Sequence, residues 1–169
     1  MREILSSLLQ YLSDNRLGLW LALFPLTYAL HIAEEYWGGN GYSTYLFKQY
    51  GVDLSPARFL TLQSFGFTLM IAGILLALAL GFPHRMLVIL GSVILVNGLV
   101  HTGRSISASL YEPGLITSLV LWIPLGGITL LLLSRTMAPR NYLLALLIGA
   151  AISGFVELIS FRGGRLIKI

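Results

Sequence analysis

His31, Glu34 and Glu35 are groups that can hold a metal ion or move a proton, set in an otherwise apolar stretch. On a helix, His31 and Glu34 are i,i+3 and His31 and Glu35 are i,i+4, so either carboxylate can share a face with the imidazole. Asn97 and His101 repeat the i,i+4 spacing, and Arg104 follows three residues later on roughly the same face. A His-x-x-Glu pair on one helix is a recurring way to bring one nitrogen and one oxygen to a metal inside a bundle. Imidazole and carboxylate together suit Zn, Fe or Mn.

These residues need elements that bring them together, and composition decides which. The chain has 169 residues, 56% of them hydrophobic and only 11% charged, against about 25% charged in an average soluble domain. Mean hydropathy is +0.82. So little charge cannot cover a water-exposed surface, and so much apolar content excludes disorder. An integral membrane protein remains. The absence of cysteine excludes disulfides, thiolate metal sites and cysteine nucleophiles. A net charge of +4 carried by 11 Lys and Arg gives no reason to expect a nucleic acid partner.

A spanning helix needs about 20 mostly apolar residues. Five stretches qualify: 17–37, 58–81, 86–108, 114–134 and 141–161. The reading is one all-α membrane domain over residues 1–169, a polytopic bundle of five transmembrane helices. Residues 2–13, with Ile4, Leu5, Leu8, Leu9 and Leu12 at helical spacing, predict a short N-terminal helix in the interface. Gly38, Gly39 and Gly41 end the first span, and Ser55-Pro56 caps and starts the second. Pro124, with Gly126 and Gly127, predicts a kink in the fourth.

Five crossings put the polar groups at one end. His31, Glu34 and Glu35 end the first span, and Arg58 and Gln63 begin the second. Asn97, His101 and Arg104 end the third, Tyr111 and Glu112 sit in the following loop, and Glu157 lies near the end of the fifth. His31 lies about 21 Å along its helix and Glu157 about 24 Å along its own, so both reach the same layer below one face. Ionisable groups at such depth normally face a bundle interior or a wet cavity. This layer is the candidate site.

At these positions the chain resembles the family of small membrane proteins named for its HXXEE motif. His31-Ile32-Ala33-Glu34-Glu35 matches that motif, and His101 matches the family's second characteristic histidine. Tyr111-Glu112-Pro113-Gly114 fits its YXPG motif letter for letter. The resemblance covers roughly residues 20–160. It groups His31, Glu34, Glu35, His101, Tyr111, Pro113 and Gly114 as one unit and implies no particular reaction, since the family's function is uncharacterised.

Ordinary explanations stand beside the chemical ones. Glu34 and Glu35 can be a solvated helix end, and His101 a core histidine bonded to a carbonyl. Arg104 can snorkel to the interface, Asn97 and Gln63 can glue helices together, and Glu157 can pair with nearby Arg162. Tyr111 to Gly114 is at minimum a turn, and Trp122 and Tyr42 read first as interface aromatics, while Tyr42, Tyr45, Phe47 and Tyr50 together can also form an amphipathic lid over the site's opening.

Three functions compete. The first is a membrane metalloenzyme acting on a lipid-like or other hydrophobic substrate. It has a divalent metal (Zn, Fe or Mn) and no organic cofactor. Its ligands come from His31, His101, Glu34 or Glu35, and Glu157. The remaining glutamate is a base, and Arg104 orients a headgroup, with Tyr111 as cover. The second is a metal-free acid–base isomerase using the same glutamates and His101. The third is a non-enzymatic module that binds a hydrophobic ligand or couples transport to protons. The Lys and Arg divide almost evenly between the two sides, so orientation stays undecided. Oligomeric state is left open.

Overall fold

The computed structural model describes residues 2–166, and the side chains of residues 16–162. The chain is 85% helical, with no strand among the described residues. Its helices are α1 (Arg2–Trp37), α2 (Tyr42–Tyr50), α3 (Pro56–Ala79), α4 (Pro83–Ala108), α5 (Leu115–Ser134) and α6 (Pro139–Leu166). Five are long and apolar enough to cross a membrane: α1 from Arg16, α3, α4, α5, and α6 to Arg162. Each lies within a turn of its expected boundaries. The amphipathic segment 2–13 is helical but runs without a break into the first long helix, since nothing between residues 13 and 17 ends a helix.

Helix α4 is central and packs against α1, α3, α5 and α6. Glycine lets it approach α5 and α6 closely. A Cβ added at Gly126 of α5 would stand 2.7 Å from the carbonyl oxygen of Gly91, and one at Gly149 of α6 would stand 2.6 Å from Ser92 Cβ. Between membrane helices such contact matters more than apolar burial, because lipid is as apolar as leucine. The outer faces of the long helices carry exposed leucines, among them Leu69 and Leu75 of α3, Leu131 of α5 and Leu144 of α6.

Two local features aim the site. Ser55 accepts from the Arg58 N–H at 3.3 Å, with Pro56 opening α3, as its sequence predicts. In α5, a π-helical turn over Ser118–Trp122 stands immediately before Pro124. Proline has no N–H to donate, and its ring crowds the carbonyl four residues back. The wider turn relieves that conflict and carries Trp122, which stacks on a residue of α1.

Replacing Gly149 with Leu is expected to destabilise the bundle by about 1–3 kcal/mol, the range for overpacking. Gly127 has nothing within 4 Å of an added Cβ, so Gly127→Ala is expected to be neutral or stabilising. Thermal unfolding of both variants in detergent checks the contrast.

Candidate metal centre

His31 and Glu35 are one turn apart on α1, and α4 brings His101 against them. All three are buried, at 1%, 3% and 1% exposure. Glu35 Oε1 lies 3.7 Å from His31 Nε2 and 3.5 Å from His101 Nε2. One ligand atom from each residue lies within 4.8 Å of the others, so the group could hold a metal ion.

The polar groups around the far side of each ring bear on where the protons are. Thr117 Oγ1 lies 2.5 Å from Glu34 Oε2 and 2.8 Å from His31 Nδ1. Its single proton goes to the carboxylate, so the hydroxyl accepts from His31 Nδ1–H and Nε2 is left bare. His101 Nδ1 lies 3.0 Å from Glu112 Oε1. A carboxylate oxygen there favours a proton on Nδ1, which again leaves Nε2 bare. Tyr28 donates to Gln63 Oε1 at 2.6 Å, which orients the amide to donate from Nε2 to Glu35 Oε2 at 2.8 Å. The other oxygen of Glu35 therefore faces two nitrogen lone pairs.

Those contacts are too long for hydrogen bonds. They match a metal. Ligand atoms about 2.0–2.2 Å from a tetrahedral ion stand about 3.4 Å apart. Among the described residues no Lys or Arg pairs with Glu35, so the carboxylate needs a proton or a cation at that point. Three protein ligands also leave a coordination position open, as catalytic sites do.

Aromatic rings and one backbone segment enclose the group. Trp122 stacks on His31 with centroids 3.6 Å apart, and the Tyr42 ring lies 5.7 Å from that of His101. Gly114 has φ +97°, and a Cβ there would stand 2.8 Å from His31 Cε1, 3.0 Å from His101 Cε1 and 3.2 Å from Glu35 Cγ. Only glycine fits that conformation and that gap. The Tyr111–Gly114 turn thus carries the bare backbone that closes over the imidazoles.

The other expected site residues take different places. Glu34 turns away from the group and accepts four bonds: Tyr111 O–H at 2.8 Å, Ile116 N–H at 2.9 Å, and Thr117 N–H and O–H at 2.6 and 2.5 Å. It caps the start of α5, where its charge meets the free N–H groups. Burial and the Glu34 carboxylate raise the Tyr111 pKa, so its phenol stays a donor. Glu157 pairs with Arg104, not with Arg162 or the histidines. Arg104 does not snorkel. It also donates to Glu112 at 3.3 Å and Tyr42 at 3.1 Å, and its guanidinium lies 4.6 Å from the Phe161 ring centroid. Asn97 lies outside the group, and its buried Oδ1 has no partner among the described residues. Gln63 bridges α3 to α1, and Pro113 is buried in the turn.

A family model described as a protein of unknown function with an HXXEE motif matches residues 22–129. The chain belongs to the HXXEE family. The matched region contains the motif at His31–Glu35, the second histidine, the whole Tyr111–Gly114 turn, Thr117 and Trp122, while Glu157 lies beyond it. No curated protein and no solved structure matches the chain.

The sequence alone points to the glutamates and histidines of the layer, places Glu112 only in the adjoining loop and offers Tyr42 as an interface aromatic or part of a lid; it does not single out Thr117, or Trp122 as more than an interface aromatic. Glu112 occupies the unspecified position of YXPG and is fully buried. Trp122 lies in the π-helical turn, which ordinary helical spacing does not anticipate, and Thr117 lies in the first turn of α5 just before it.

Thr117→Val, close in shape, leaves His31 Nδ1–H and Glu34 each short of a partner. It is expected to cost about 1–3 kcal/mol, whereas Thr117→Ser keeps the hydroxyl and most of the stability. Chemical denaturation of the pair checks this.

Proposed function

We propose that the protein is a multi-pass membrane metalloenzyme with a divalent metal held by His31, Glu35 and His101 and a lipid-like or other hydrophobic substrate. One observation carries the reading: the Nε2 atoms of two buried imidazoles and a carboxylate oxygen with no Lys or Arg partner among the described residues converge at metal-ligand spacing. Three-ligand sites of two histidines and one carboxylate suit zinc or iron, and manganese by ligand type. When bound, such an ion supplies Lewis acidity for hydrolysis if it is zinc and redox chemistry if it is iron or manganese.

The chain's own residues prepare that position. Thr117 holds His31, and Gln63 holds Glu35 through its second oxygen. Glu34 has both oxygens committed to α5, so its role is to fix Thr117 against His31 rather than to act as the base. Trp122, Tyr42 and the Gly114 backbone exclude water, which strengthens every charge interaction inside. The apolar outer faces of the helices that surround the buried ligands support a substrate dissolved in the bilayer rather than in water.

Protein purified in detergent without chelators or immobilised-metal affinity is expected to carry near-stoichiometric Zn, Fe or Mn by elemental mass spectrometry. The His31→Ala/His101→Ala double variant is expected to lose it. A folded wild-type protein that neither contains metal nor takes it up contradicts the proposal and favours the acid–base isomerase, with Glu35 protonated.

A further inference from the structure

We infer that Glu112 is a positioning residue: it fixes the protonation and orientation of His101, and Arg104 holds it in that role. The inference deepens the metal reading and rests on it. Glu112 has no exposed surface, and a carboxylate in such a place must satisfy specific neighbours. Its Oε1 lies 3.0 Å from His101 Nδ1 and 3.3 Å from Arg104 Nη1. The contact to the imidazole is short but off the axis of a linear hydrogen bond, and Oε2 has no partner among the described residues.

The two histidines are held differently. His31 leans on a neutral hydroxyl, whereas His101 faces a carboxylate. Carboxylate support makes an imidazole a stronger donor to a metal through its other nitrogen. Arg104 suits the holding role because its own position is determined from three sides: Glu157 on α6, Tyr42 on α2 and the Phe161 ring. Burial and the Glu157 carboxylate raise the Tyr42 pKa, so its hydroxyl stays neutral beside Arg104. This explains a fully buried glutamate at a motif position that specifies no residue. It also gives α2 and α6 a part in a site built from α1, α4 and α5.

The test uses full-length protein and the Glu112→Gln variant, with two readouts. The first is the 15N spectrum of histidine-labelled, metal-free protein, which reports which ring nitrogen of His101 carries the proton. His101→Ala assigns the signal. Wild type is expected to show His101 protonated at Nδ1. In the variant the amide can present its N–H to Nδ1, so the population shifts toward the Nε2-protonated form. The second is affinity for Zn alone by competition with a chromophoric chelator, expected to fall 10–100-fold in the variant. His101 protonated at Nε2 in wild type, or a spectrum and an affinity both unchanged by the substitution, overturns the inference. A His101 signal that shifts as expected in a wild-type protein with no affinity for metal leaves Glu112 as the positioning residue and removes the metal reading instead. Should Glu112→Gln fail to fold, Arg104→Lys, which keeps the charge but loses the planar fork, is expected to show the same shift in part; wild-type values overturn the holding role of Arg104.

Discussion

A carboxylate oxygen buried against two nitrogen lone pairs is the constraint on which the arrangement depends. Left alone, Glu35 Oε1 with His31 Nε2 and His101 Nε2 is three electron-rich atoms facing one another. Such a group persists only where neighbours fix each member and a cation or proton offsets the charge. The neighbours are all present. Thr117 and Glu112 face the far nitrogens of the two rings, Gln63 occupies the second oxygen of Glu35, and Tyr28 orients Gln63. The supports come from α1, α3, α5 and the turn before α5, so the site requires those elements to be assembled around His101 of α4.

The same logic explains the turn between α4 and α5. Its glycine brings bare backbone within van der Waals reach of both imidazoles, its tyrosine ties Glu34, and its glutamate faces His101. Lipid offers no hydrophobic force between helices, so close glycine packing and satisfied polar networks must hold them together. The Arg104 cluster serves both purposes, joining α2, α4, α6 and the turn while completing the surroundings of His101.

Much of this was legible in the sequence. Composition and five apolar stretches specified the bundle, because hydropathy over about 20 residues is a strong signal. Helical spacing put His31 with Glu35, and depth put His101 in the same layer. Spacing could not separate Glu34 from Glu35, which sit about 100° apart on α1. One faces the histidines and the other the start of α5. Glu157 is expected from the sequence in the layer of the histidines, but depth does not give direction, and its partner is Arg104. Trp122 read as an interface aromatic because the π-helical turn that swings it onto His31 depends on Pro124 two residues later and on packing against α4.

The most direct measurement is X-ray absorption at the metal edge of the loaded protein in detergent. Oxygen and nitrogen ligands at about 2.0–2.2 Å are expected, with the multiple-scattering pattern of two imidazoles, reduced to one in His101→Ala. A spectrum without imidazole scattering, or one left unchanged by that substitution, would contradict the placement of a metal between His31, Glu35 and His101.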